Sequence, residues 1–242
     1  MTAPNGRLMY DGPSMLDGEP IVVIATGDVR ASDNPKTGAM IQVWIMPKFV
    51  NPAEAVATGL DASVCGNCPL RPYTRKGQDK VERATKEPCY VNARAPLSIW
   101  RCWQRGGYPV ADAAWFSKIQ ANHRGIRFGA WGDPCAVPVY VWESLANVAS
   151  KFTGYTHQWR TPQAEAYKPY LMASCETVDD ALTAIAQGWR TFRTRASVDM
   201  PLMANEINCP ASKEAGFKTT CLKCGLCAGA SKNAKNVAIV LH

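Results

Sequence analysis

No apolar run in this 242-residue chain reaches the roughly 18 residues that a membrane-spanning helix needs, so no membrane partner is expected. The opening "MTAPNGRLMYDG" lacks a basic stretch followed by an apolar one, so no secretory leader is read and a cytoplasmic location is expected. There is no internal repeat, low-complexity tract or long linker, which predicts a single domain over 1–242. Charged residues make up only 19% against 47% hydrophobic, which excludes a disordered chain. No G-x-G-x-x-G follows a predicted strand, so a dinucleotide fingerprint is missing.

What is abundant is cysteine, with ten residues. In a reducing compartment these are thiols, and thiols grouped at short spacing point to metal rather than to disulfides. The net charge of +7 is compatible with a polyanionic partner such as DNA or RNA. Oligomeric state is not encoded in any feature we can read.

The fold class expected is α/β. "PIVVIATG" (20–27) and "AMIQVWIMP" (39–47) read as strands, with residues 1–20 as a Gly/Pro/Asp-rich N-terminal arm. Residues 51–109 hold several prolines and four cysteines, and read as an irregular cysteine-clamped insertion. From "DAAWFSKIQAN" (112–122) onward, helix and strand patterns alternate. "GIRFGAWGDP", "TGYTHQWR", "AYKPYLMASCE" and "WRTFRTR" are strands, "AVPVYVWESLANVASKF" and "TVDDALTAIAQG" helices, and "MANEINCPA" and "NVAIVLH" two further strands. Such alternation predicts βαβ units and a parallel sheet. A small or incomplete (β/α) barrel is the most economical form and an open doubly wound sheet the alternative, and in either one polar residues at strand ends line the ligand face.

Near the end of the chain, "CPASKEAGFKTTCLKCGLCAG" carries Cys221, Cys224 and Cys227 as C-x2-C-x2-C, with Cys209-Pro210 upstream, in a metal-binding loop over 205–230. This spacing suits the corners of one [4Fe–4S] cluster, and the same four thiolates suit one tetrahedral zinc. The looser set Cys65, Cys68, Cys89 and Cys102 predicts a second zinc or iron–sulfur site stapling the insertion. No C-x3-C-x2-C loop exists, which argues against a radical S-adenosylmethionine enzyme. Cys135 and Cys175 read as small buried hydrophobes.

At the strand ends stand Asp133, Glu176 and Glu206 as candidate acids, and the run Tyr155, His157, Trp159 and Arg160 as a stacking and phosphate-binding surface. Arg193 and Arg195 share one strand face and could contact phosphate or pair with internal acids.

The motifs "NPKTG", "CGNCP…PCY", "IRFGAWGDP", "GYTHQWR", "MASCE", "GWRTFR" and "NCPAS…TTCLKCGLC", spread over residues 30 to 242, resemble a cysteine-rich family of bacteriophages and mobile elements, gene-product-eighty-eight-like. That resemblance implies a phage-encoded protein at work in the host cytoplasm. The R-x-G-x-x-G-D strand end is distantly similar to radical-type barrels. It also resembles phage 7-deazaguanine DNA transglycosylases, barrel enzymes with an aspartate nucleophile.

The expected function is therefore a phage-type metal-binding enzyme that modifies a nucleic-acid base by a transglycosylase-like mechanism. Asp133 would attack the sugar C1′ or stabilise its developing charge. Glu176 or Glu206 would be the general acid or base. Tyr155, His157 and Trp159 would hold an extruded base, with Arg160, Arg193 and Arg195 on the flanking phosphates. Two alternatives stand beside it: a non-catalytic iron–sulfur or zinc nucleic-acid-binding protein, and an iron–sulfur redox or radical enzyme.

Overall fold

The computed structural model describes residues 3–71, 89, 93–230 and 233–240. It is a mixed α/β structure with two five-stranded sheets. The first runs β1 (Gly6–Pro13), β2 (Pro20–Thr26), β3 (Ile41–Pro47), β4 (Gly125–Trp131) and β5 (Lys151–Thr153), in that order. Its first three strands are antiparallel, and β3, β4 and β5 are parallel. The second holds β6 (Tyr155–Thr156), β7 (Met172–Cys175), β8 (Thr191–Arg195), β9 (Glu206–Asn208) and β10 (Asn236–Val240). It is wholly parallel, with β10 inserted between β8 and β9. Among the described residues no helix is long and apolar enough to cross a membrane.

Only Gly154 separates β5 from β6, so residues 151–156 pair with β4 at one end and β7 at the other. A β-carbon at Gly154 would stand 2.5 Å from Leu171 Cδ2, so the two sheets approach too closely there for a side chain. The largest cluster of buried residues draws on both sheets, from Ile21–Ile24 of β2 to Ala173 and Cys175 of β7. β2 is apolar on both faces because it is covered on both, which is why "IVVIA" is legible as a buried strand.

The crossovers follow the expected helices. α4 (Ala113–Ala121) starts at Asp112, whose carboxylate accepts the Trp115 N–H. α5 (Val139–Val148) follows Pro138, and α6 (Val178–Ala186) starts at Thr177, whose hydroxyl accepts the Asp180 N–H at 3.0 Å. Two expectations are corrected. Where an arm was expected, Gly6–Pro13 form a strand: β1 pairs along the whole of β2, with a bulge between Leu8 and Tyr10 that breaks the period-two pattern a strand would show. Nor is 51–109 irregular throughout, since it contains α1 (Pro52–Thr58), α2 (Ala62–Cys65) and α3 (Arg94–Gln104). Two of the prolines that suggested irregularity sit where helices tolerate them. Pro52 is at the first position of α1 behind an Asn51 cap, and Pro96 is in the first turn of α3.

The turn that ends β4 is under steric control. Gly132 has φ +81°, and a β-carbon there would lie 2.7 Å from the Ile45 carbonyl oxygen. Gly132→Ala therefore meets both an unfavourable backbone region and a clash with the neighbouring strand. We expect a loss of about 2 kcal/mol or more, read as a fall in melting temperature of roughly 4–8 °C for a chain of this size. An unchanged melting curve would show that the turn can relax.

Candidate functional site

The carboxyl ends of β4, β6 and β7 deliver Asp133, His157 and Glu176 to one place, as parallel strands do for ligand sites. Asp133 caps the short 3-10 turn Pro134–Ala136. Its Oδ1 accepts the Cys135 N–H (2.9 Å) and the Thr156 hydroxyl (2.7 Å), and its Oδ2 accepts the His157 N–H (2.8 Å) and the Gln158 amide (3.5 Å). Burial pushes its pKa up, against the opposing charge of His157 and these hydrogen bonds. With both oxygens doubly engaged, Asp133 ties β6 to β4 and sets the position of His157.

His157 Nε2 lies 2.8 Å from Glu176 Oε1 and 3.9 Å from Cys68 Sγ. Burial disfavours its charge, but the bonds and charges of Cys68 and Glu176 outweigh that and push its pKa up to about 10. Thiol and carboxylate meet the same ring nitrogen, so this is not a relay in which an acid orients the far nitrogen of a nucleophile's base. Around the histidine is a cavity of about 110 Å³ lined by Cys65, Cys68, Cys89, Asp133, Tyr155 and His157, among others. Burial raises the Cys65 thiol well above its usual pKa, with smaller contributions from Asp61, Cys68 and Cys89. Those contributions put Cys68 and Cys89 within electrostatic reach of Cys65.

The loop carrying Cys65 and Cys68 is held from outside. Arg71 makes a two-pronged bond to Asp61 (2.9 and 2.7 Å) and reaches the carbonyls of Gly66 and Gly59. The Gln158 amide donates to the Cys65 carbonyl. Cys102 does not join this group. Its thiol packs against Gly107 and hydrogen-bonds Tyr108, and it is not among the residues that line the cavity. His157 stands where the sequence suggested a fourth cysteine.

The C-terminal thiols form a second group. α7 (Cys221–Cys224) is capped by Thr220 and closed by Gly225 in the left-handed region (φ +63°). The Cys221 and Leu222 N–H groups donate to the Lys36 and Thr37 carbonyls, anchoring the loop before β3. Cys209 leaves β9 with its N–H on the Ala238 carbonyl. The Arg190 guanidinium donates to the carbonyls of Leu226, Gly229, Ala234 and Lys235, committing its whole fork to this loop. Burial is the main cause that raises the Cys209, Cys221 and Cys227 thiols, the last to about 12, and each also feels other members of the set. The Tyr155 hydroxyl bonds to the Cys227 sulfur and lowers it somewhat.

All four donors are soft thiolates, the chemistry of an iron–sulfur cluster or zinc. A single zinc draws its sulfurs to about 2.3 Å from one point. Among the described residues no three His, Cys, Asp or Glu side chains converge tightly enough to hold one ion. Donor type therefore fits a thiophilic group in both sets, and the spread of donors does not fit a collapsed single-ion site in either.

The remaining candidates divide. Tyr155 faces the cavity, its ring centroid 4.2 Å from that of Phe192. Trp159 is 2% exposed and donates its indole N–H to the Ser174 carbonyl, so it is core and not a stacking surface. Arg160 lies over the Trp159 ring and pairs with Asp180. Arg193 and Arg195 do share a face of β8, but it is opposite to that of the cavity-lining Phe192. Arg193 is sealed against Glu206, and Arg195 bonds Asn208 and the carbonyls of Val198 and Met200. Glu206 is thereby a core counter-ion rather than an acid or base at the site. Cys135 and Cys175 are buried thiols with raised pKa values, as expected of small core residues.

Sequence reasoning passed over Arg71, Asp61, Lys36 and Arg127. The arginine in "CPLR" was the available signal for the first, being a cation set directly behind a thiol pair. Compared with protein-family models, curated proteins and solved structures, the chain matches none.

Proposed function

We propose that this protein is a metal-dependent enzyme that modifies a nucleic-acid base, built as an incomplete (β/α) barrel closed around the cleft between its two cysteine groups. The observation that carries this reading is the His157–Glu176 pair, 2.8 Å apart at the carboxyl ends of adjacent parallel strands, beside a cavity walled by thiols and an aromatic ring. Cys209, Cys221, Cys224 and Cys227 would hold a [4Fe–4S] cluster, whose cuboidal shape keeps four sulfurs further apart than one ion does. Cys65, Cys68 and Cys89 would hold a second group with an open coordination position towards the cavity, supplying Lewis-acid or one-electron chemistry there.

In a transglycosylase-like exchange the carboxylate that faces the sugar C1′ is Glu176, which among the described residues has only His157 on it, and not Asp133, whose oxygens are filled. His157 Nε2 exchanges a proton with the departing base, and Asp133 positions that histidine. The open fourth place beside Cys65, Cys68 and Cys89 favours a second reading, redox or radical chemistry on the same base. Host cytoplasm and a phage origin belong to this proposal on the resemblance alone.

The test is exchange of a radiolabelled guanine-type base into DNA by anaerobically purified protein, together with its metal and sulfide content and absorbance near 400 nm. Glu176→Gln is expected to lose roughly 10²–10⁴-fold in rate with metal content unchanged. Full activity in that variant overturns the assignment. Salt-sensitive DNA binding without exchange, unaffected by the variant, makes the protein a binding module instead.

A further inference from the structure

A larger cleft of about 620 Å³ continues from the thiol-walled cavity towards Cys221, the two sharing Arg127, Ala130, Tyr155 and Phe192. Its interior face is not uniformly apolar. Gln42, Arg127 and Thr153 stand side by side in register on β3, β4 and β5, and all three line the cleft. The Gln42 amide donates to the Thr37 hydroxyl and the Met40 carbonyl, but a guanidinium beside it in a central strand is costly unless something polar meets it.

The arginine is the unusual member. Among the described residues, the other inward-placed arginines each have protein partners: Arg71 has Asp61, Arg193 has Glu206, and Arg190 and Arg124 have backbone carbonyls. Arg127, half-buried in mid-strand, has neither a carboxylate nor a hydrogen bond among those residues. Lys36, on the loop before β3, lines the same cleft with its ammonium free among the described residues, and both cations lie within electrostatic reach of Cys221. The same cleft has aromatic walls: Trp44, fixed by its N–H on Thr26, and the Tyr155–Phe192 pair.

A cleft of this volume accepts one nucleotide unit. Planar apolar walls take a base, and a forked cation with a second cation beside it takes a phosphate. We propose that Arg127 and Lys36 form the phosphate subsite for a single nucleotide unit whose base lies against the aromatic walls. The unit is either a free nucleoside monophosphate or one phosphodiester-linked residue turned out of a single strand. This rests on the base-modification reading and narrows its substrate.

Binding alone tests it, without turnover. Titration calorimetry on the anaerobic protein would compare 2′-deoxyguanosine 5′-monophosphate, deoxyguanosine and a short single-stranded oligodeoxynucleotide. At least one phosphate-bearing probe is expected to bind tenfold or more tighter than the nucleoside. R127A should remove that difference, and R127K should restore part of it, because lysine keeps the charge but not the fork. Dependence on Arg127 with the monophosphate identifies a free nucleotide, and dependence with the oligonucleotide alone identifies a strand. Equal binding of nucleotide and nucleoside, or R127A binding unchanged, overturns the subsite. So does R127A that loses metal instead of affinity, since the cations then only balance thiolate charge. If wild type exchanges bases while R127A binds normally, the subsite falls and the enzyme reading stands. Arg127-dependent binding with no exchange keeps the subsite and removes the enzyme reading.

Discussion

If the C-terminal thiols hold a metal group as proposed, Cys224→Ala protein, purified without oxygen, should emerge without it and with residues 209–230 open to protease. Cys224 is half-buried, so its truncation removes little packing and reports ligation; Cys227, 8% exposed and bonded to Tyr155, would lose both. α7 is a single turn, and the loop is otherwise held by scattered hydrogen bonds: the Arg190 fork, the Lys36 and Thr37 carbonyls, Lys151 on the Lys223 carbonyl and the Ala230 N–H on the Lys168 carbonyl. The Cys227 carbonyl also accepts the Gly154 N–H at the bend between the sheets, so freeing the loop loosens that junction. Thiolate-bound metal in small sites contributes on the order of 10 kcal/mol to folding. Even a fraction of that is a large part of the roughly 5–15 kcal/mol by which proteins are stable. The measurements are iron, zinc and sulfide per chain, absorbance near 400 nm, and limited proteolysis before and after chelator. Wild-type protein that carries no metal, or Cys224→Ala protein that keeps all of it, would mean that these four thiols hold no cluster.

Glu206→Ala should cost about 3–5 kcal/mol, because it leaves a guanidinium buried without its counter-ion. Both side chains of the Arg193–Glu206 pair are wholly enclosed. Arg193 Nε and Nη2 reach the two carboxylate oxygens at 3.0 and 2.6 Å, and Glu206 also accepts the Met203 N–H. One guanidinium nitrogen, Nη1, has no partner among the described residues, so the pair is incompletely satisfied and depends on mutual neutralisation. A double replacement, Arg193→Met with Glu206→Leu, should recover most of the loss. Urea midpoints at constant slope would read both effects. A cost below about 1 kcal/mol for Glu206→Ala would mean that water reaches the pair.

The contrast between this pair and the His157–Glu176 pair separates what is readable in the sequence from what is not. Both acids sit at strand ends, and by sequence both are equal candidates for catalysis. Only packing separates them: β10 enters between β8 and β9, the 196–205 connection covers Arg193, and Glu206 is sealed in. Glu176 meets the cavity-lining His157 with its side chain 20% exposed. Asp133 is likewise visible as a strand-end acid behind glycine, but the four donors that fill it come from Cys135, Thr156, His157 and Gln158, mostly some 20 residues away.

What the chain determines by itself is local. Alternating helix and strand patterns from Gly125 to Arg195, the Thr177 cap, and the C-x2-C pairs with their glycines are set by neighbours within one or two turns. Periodicity, capping and short loop closure depend on nothing further. β1 escapes such a reading because its bulge and its glycines hide the alternation until β2 supplies the partner. Tertiary structure alone decided that His157, not Cys102, stands with Cys65, Cys68 and Cys89, and that Arg127 faces a cleft with no carboxylate on it among the described residues. Those outcomes depend on which strands become neighbours. Strand order follows from burying all the apolar faces together, a property of the whole chain that no window of it contains.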